Sequence, residues 1–120
     1  MAGNLVHLEF PADDAERATS FWNSLFGWDF EKYEDSGYYM TQTPSPGGAL
    51  QTRQEHQTGI TVYFDTDDVT AASEKVKSLG GSVTMDKSPV PGMGYFAICA
   101  DTEGNTFGLW ESDESASAPS

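Results

Sequence analysis

The sequence predicts an α+β domain assembled from two similar β-α-β-β-β modules, and three observations carry that prediction. A stretch near the N-terminus recurs 54 residues later, with Val6-His7-Leu8-Glu9-Phe10-Pro11-Ala12-Asp13-Asp14 lying over Ile60-Thr61-Val62-Tyr63-Phe64-Asp65-Thr66-Asp67-Asp68. The register continues into the next segment, where Ala18 meets Ala72, Ser24 meets Ser78, Leu25 meets Leu79 and Gly27 meets Gly81. Each copy also opens on period-2 alternation and then changes to helical spacing, the mark of a strand feeding a helix. Half of 120 residues is too short to bury a core alone, so the copies are expected to share one domain over residues 1–111. Module one covers about residues 4–53 and module two about 58–111, with a disordered acidic tail at 112–120.

The elements follow in order. Val6, Leu8 and Phe10 alternate with His7 and Glu9 in the first strand, and Ile60, Val62 and Phe64 alternate with Thr61 and Tyr63 in its repeat. Asp13-Asp14 and Asp67-Asp68 place a side-chain acceptor and negative charge at helix starts, so helices are predicted over 15–25 and 69–79. Gly27 and Gly80-Gly81 end them. Module one then predicts strands at 28–33 and 37–43 around the turn Glu34-Asp35-Ser36, a loop at 44–48 and a short strand at 49–52. Module two predicts strands at 82–85, 94–100 and 106–110, the last two joined by the turn Asp101-Thr102-Glu103-Gly104-Asn105.

Composition narrows the function. Six Lys+Arg against 19 Asp+Glu give a net charge of −13, a surface that repels phosphate backbones and anionic lipid, so nucleic acid and membranes are not expected partners. Three Trp, five Tyr and seven Phe supply core material that disordered chains lack. Cys99 stands alone, which excludes an intrachain disulfide scaffold and fits a reducing compartment. With no basic leader and no long apolar run, a soluble cytoplasmic protein is expected.

Alternation divides each strand into two faces. If Val6/Leu8/Phe10, Ile60/Val62/Phe64 and Phe107/Leu109 face the helices, then His7/Glu9, Thr61/Tyr63 and Thr106/Gly108/Trp110 face away from them. The same parity, applied to residues 94–100, sends Phe96 and Ile98 to the helices and Tyr95, Ala97 and Cys99 to the other side. A face carrying an imidazole, a carboxylate, phenols and an indole suits the lining of a small-molecule cleft. Tyr39, Thr61, Tyr63, Tyr95 and Trp110 are the candidate ligand-binding residues, and His7 with Glu9 is the candidate catalytic pair, a base and its orienter. The bland alternatives are a core histidine bonded to Tyr63 or Glu9 and aromatics that merely fill the interior.

The opening Val6 to Ala18 with Phe21-Trp22 and Leu25-Phe26-Gly27-Trp28, the segment Pro91-Gly92-Met93-Gly94-Tyr95-Phe96-Ala97, and the closing run from Asp101 to Trp110 resemble the vicinal-oxygen-chelate superfamily of glyoxalases, bleomycin-resistance proteins and extradiol dioxygenases, in its glyoxalase-like subgroup. The resemblance covers residues 5–111. It implies an eight-stranded, incompletely closed barrel with the helices outside and a cleft inside, and commonly a homodimer. It also implies a divalent ion held by residues on the first and last strands of each module. The matching positions here are His7, Thr61, Gly108 and the neighbourhood of Ala49, of which His7 alone carries an obvious donor.

No cofactor is therefore expected, the alternative being one Zn²⁺, Ni²⁺, Fe²⁺ or Mn²⁺ held by His7 with Glu9, Gln51 or Glu111 as substitute ligands. The expected function is a glyoxalase/bleomycin-resistance-like protein that binds a small organic molecule in an aromatic-lined cleft. The alternatives are a lyase-, isomerase- or dioxygenase-like enzyme working through His7 and Glu9, and an interaction module with a vestigial cleft.

Overall fold

The computed structural model describes residues 3–33, 37–41, 47–52 and 59–117. The chain divides into two compact units, Val6–Val62, and Met1–Leu5 together with Tyr63–Ser120. The units follow the repeat except at their edges: the residues through Leu5 go with the second unit, and the start of the second repeat through Val62 goes with the first.

The first unit holds β1 (Leu5–Ala12), α1 (Ala15–Phe26), β2 (Phe30–Tyr33), β3 (Tyr38–Thr41) and β4 (Gly47–Thr52), with strands in the order β2-β3-β4-β1. β1 and β4 run parallel and the other neighbours antiparallel. Asp14 caps α1 by accepting from the Arg17 amide, and Gly27 ends it at φ 76°, a left-handed conformation that glycine adopts without a Cβ penalty. The Phe10 ring meets Trp22 of α1 at 5.2 Å, edge to face, which puts Val6, Leu8 and Phe10 on the helix side and His7 and Glu9 on the other. Trp28, expected in the second strand, instead stacks on Trp22 at 5.2 Å, and β2 begins only at Phe30. β4 starts at Gly47 inside the predicted loop, because pairing with His7 and Leu8 extends it backwards. Residues 42 and 43, predicted as strand, lie outside the described residues.

The second unit holds β5 (Thr61–Asp65) from Tyr63 onward, α2 (Val69–Ser78), β6 (Ser82–Val90), β7 (Gly94–Ala100) and β8 (Thr106–Ser112), in the order β5-β8-β7-β6. Its core is Val69 of α2 against Ala97, Cys99 and Leu109, with Ala72, Val76 and Phe107 packed around them. Ala97 pairs with Leu109 and Cys99 with Phe107, and residues directly opposite share a face. The expected parity of β7 is thereby reversed: Tyr95, Ala97 and Cys99 face α2, while Phe96 and Ile98 point away. β6 runs five residues beyond its predicted end. As the edge strand it accommodates Pro89, which has no amide to donate, and it absorbs two register shifts between Val83 and Ser88.

Residues 3–4 and 112–116 are both tied to this unit. Asn4 donates its amide to the Asp65 carboxylate at 2.8 Å, and Gly3 donates to the Asp65 carbonyl at 2.9 Å. Residues 112–116, expected to begin a disordered tail, are held by Asp113 N–H to Met93 O at 2.9 Å and Gly92 N–H to Ala116 O at 2.8 Å, and Ala116 is buried. The small, polar composition of this stretch conceals its docking, which rests on backbone bonds and one methyl group. Residues 118–120 lie outside the described residues. No helix among the described residues is long and apolar enough to cross a membrane.

Candidate functional site

Each unit presents a strand face that carries no helix, and the two faces differ in chemistry. In the first unit, β4 separates β1 from β3, so a side chain on β3 must span about 10 Å of sheet to meet one on β1. Tyr38 is long enough. From its own partner Gln51 it leans along β4 over the small residues Ala49 and Gly47, the partners of Glu9 and His7. The Tyr38 hydroxyl donates to Glu9 Oε2 at 3.0 Å and lies 2.9 Å from His7 Nε2. An ionised carboxylate has no proton to give, so Tyr38 donates to Glu9 and the imidazole donates to Tyr38 through Nε2–H. Glu9 is 7% exposed and His7 half-buried, and burial holds the imidazole below its ordinary pKa of 6.5, favouring the neutral ring. The unit thus holds a carboxylate, a phenol and a neutral imidazole in one hydrogen-bonded line.

Tyr38 was missed by sequence reasoning, which chose its neighbour. Tyr39 pairs with Leu50, itself paired with Phe10, and so stands on the helix side. The hairpin register Tyr33 with Tyr38 decides between the two tyrosines, and Glu34-Asp35-Ser36 marks that hairpin without fixing its pairing. Gln51 is on the same face as Ala49 and half-buried.

In the second unit the helix-free face is aromatic. Trp110 pairs with Phe96, and Gly108 with both Ile98 and Tyr63. A Cβ on Gly108 would collide with the Tyr63 ring, which occupies that space, whereas one on Gly94 would collide first with the Glu111 backbone carbonyl, with the Trp110 ring 2.8 Å away. The Trp110 indole N–H donates to Ser112 Oγ at 3.0 Å. Thr61 and Tyr63 are buried on β5. Tyr95 stands on the opposite face with the Lys87 ammonium 4.2 Å above its ring. Phe96 and Ile98 take the places expected for Tyr95 and its alternates. The five-residue turn pairs Ala100 with Thr106, and counting back from that pair would have found them.

The residues at the implied metal positions do not fit a divalent ion. Ala49 has no donor, Gly108 has no side chain and its volume is filled by Tyr63, and the His7 Nε2 is engaged by Tyr38. Among the described residues no group of three or more His, Cys, Asp or Glu is placed to hold a metal. Glu111, a possible substitute ligand, is on the helix side, where Oε1 accepts from the Val69 amide at 2.9 Å and so satisfies the start of α2.

A repeated β-α-β-β-β unit with helices on one strand face and polar or aromatic residues on the other defines a fold family that hosts many functions rather than one activity. The chain belongs to the Glyoxalase/Bleomycin resistance protein/Dioxygenase superfamily, whose family model matches residues 4–109. It is 31% identical over 117 residues to the anthracycline biosynthesis protein DnrV of Streptomyces peucetius, covering 81% of this chain but 42% of that protein, so it spans less than half of that relative's length. It is 30% identical to a glyoxylase-like domain-containing protein of Didymella fabae, covering 89% of this chain and 92% of the relative. The crystal structure of a glyoxalase/bleomycin resistance protein/dioxygenase superfamily member from Vibrio splendidus 12B01 shares the fold, with TM-score 0.71 at 12% identity over 93% of this chain and all of the other.

Proposed function

We propose that the protein binds a small organic molecule on the helix-free aromatic face of its second module, without a metal ion. The observation that carries this reading is the adjacent pair Phe96 and Trp110, both half-buried large rings on a strand face that α2 does not cover. DnrV is named for anthracycline biosynthesis, which makes planar polycyclic compounds the first class to screen. The test is a thermal-shift screen of such compounds against the wild type and Trp110→Ala. Binders should raise the melting temperature of the wild type, lose affinity by about 1–3 kcal/mol in the variant, and be indifferent to chelator. A binder that depends on chelator-removable metal and ignores Trp110 would overturn the reading. Elemental analysis should find no stoichiometric divalent metal, and glutathione-dependent methylglyoxal isomerisation should be negligible.

The His7–Tyr38–Glu9 line favours a second reading, a lyase- or isomerase-like step in which a proton next to a carbonyl is moved by the carboxylate or imidazole. Turnover abolished by Glu9→Gln with binding retained would select it. A homodimer is the assembly we propose with either reading.

A further inference from the structure

The last residue of β8 holds the Trp110 ring. The indole N–H donates to Ser112 Oγ at 3.0 Å, and Cζ2, on the same edge of the ring, stands 2.8 Å from where a Gly94 Cβ would be. Ser112 and Gly94 are themselves a pair, next on the same face after the pair Trp110 and Phe96. The indole therefore leans off its own partner and onto its diagonal neighbour, the one residue of β7 without a side chain.

The consequence falls on Phe96. Opposed aromatic residues on neighbouring strands are close enough for their rings to touch. Among the described residues, however, the ring contact in this unit is Phe64 with Phe107 at 6.2 Å on the α2 side, and Phe96 and Trp110 make none. Two half-buried rings are left side by side, neither spent on the other. The hydroxyl that causes this is itself fixed. Ser112 is exposed, but Asp113 donates its amide to the Met93 carbonyl at 2.9 Å, and Glu111 bonds the start of α2 on the opposite face.

We infer that Ser112 is the positioning residue of the aromatic site: its hydroxyl latches the Trp110 indole over Gly94, and the Phe96 face thereby freed takes a flat ring system that bears no anionic group. The inference rests on the aromatic site proposed above and adds the residue that shapes it and the charge of what it accepts. With its N–H bonded to Ser112, the indole offers a ligand its π face rather than a hydrogen bond, which favours flat rings over polar chains. Charge decides the rest. The charged residues on β5, β6, β7 and β8 are Asp65, Asp86, Lys87 and Glu111. Lys87 lies over Tyr95 and Glu111 bonds the start of α2, both on the α2 side, whereas Asp65 is paired with Trp110 and Asp86 sits in the irregular part of β6. An anion brought to the helix-free face finds no cation on these strands to pair with, within a chain of net charge −13.

Fluorescence titration with two probes of one ring system tests this: N-phenylnaphthylamine, which is uncharged, and anilinonaphthalene sulfonate, which is an anion. The full chain should bind the uncharged probe at least about tenfold more tightly than the sulfonate. Ser112→Ala should weaken the uncharged probe about fivefold, the worth of one hydrogen bond, and speed solvent exchange of the Trp110 indole proton, and Ser112→Thr should restore both. Circular dichroism checks that each variant is folded. If Ser112→Ala does not fold, the wild type decides: its indole proton, assigned by its loss in Trp110→Ala, should stay slow to exchange when the uncharged probe saturates the site, and release on saturation overturns the latch. Wild-type affinity and exchange in Ser112→Ala, alongside lost binding in Trp110→Ala, overturns the latch and leaves the aromatic site standing. Equal affinity for the sulfonate overturns the ligand class. No binding of either probe, or binding unchanged in Trp110→Ala, overturns the site and the inference with it.

Discussion

The Tyr63 ring lies where a side chain on Gly108 would be, so the bare position at the end of module two is an occupied one. The two residues are paired across β5 and β8 on the helix-free face. Gly108→Ala should force the buried ring aside and destabilise the protein by about 1–3 kcal/mol in urea denaturation. In a Tyr63→Ala background the same change should be close to neutral. A double-mutant cycle without coupling would disprove the relationship.

Tyr38→Phe removes the hydroxyl that joins His7 to Glu9 while keeping the ring. Glu9 is then a buried carboxylate that has lost this donor. A loss of about 1–3 kcal/mol is expected, with the Glu9 pKa rising. Tyr39→Phe, on the opposite face, should leave that pKa where it is, as read by carboxyl NMR titration.

His7 gives the stability a pH dependence of definite sign. Its folded pKa is depressed by burial, so the unfolded chain takes up a proton that the folded one resists. The contribution is fully present above the unfolded value near 6.5 and is lost as pH falls from there through the folded value. Denaturation midpoints measured between about pH 7.5 and 5 should fall with pH in the wild type and change less in His7→Gln.

Glu111→Ala should destabilise α2 by about 0.5–2 kcal/mol, because the Val69 amide at its first turn loses its acceptor. Hydrogen exchange should accelerate at that amide, and chelator should have no effect on wild type or variant.

Cys99 is fully buried against Val69, and burial raises its thiol pKa. Alkylation in native buffer should proceed only as fast as the second unit opens, and immediately in denaturant.

The repeat, the strand–helix order and both Asp caps were legible because each is written locally, in spacing and in a side chain beside the amide it bonds. The helix-free placement of His7, Glu9, Tyr63 and Trp110 followed from alternation anchored on Phe10 and Leu109. Tyr39 and Tyr95 failed for a different reason. Each sits in a hairpin whose face is set by pairing with a second strand, and a one-residue slip reverses every side chain. Tyr38 reaches His7 only because β4 is interposed with Gly47 and Ala49 beneath the path, a relation between three strands that no local pattern contains. Glu111 looked like a spare carboxylate until the start of α2 was found beside it, 42 residues away in sequence.

The bonds from Gly3 and Asn4 to Asp65 mean that repeat boundaries and fragment boundaries do not coincide. Severed after Gly59, the polypeptide gives a leading piece that carries away the strip the trailing piece needs, and a trailing piece whose Asp65 is left with an empty edge. The pieces are thus complementary by construction: the leading one carries a short adhesive end, suited to reassembling a split protein. On the ribosome the same strip emerges some sixty residues ahead of its partner and must wait for it.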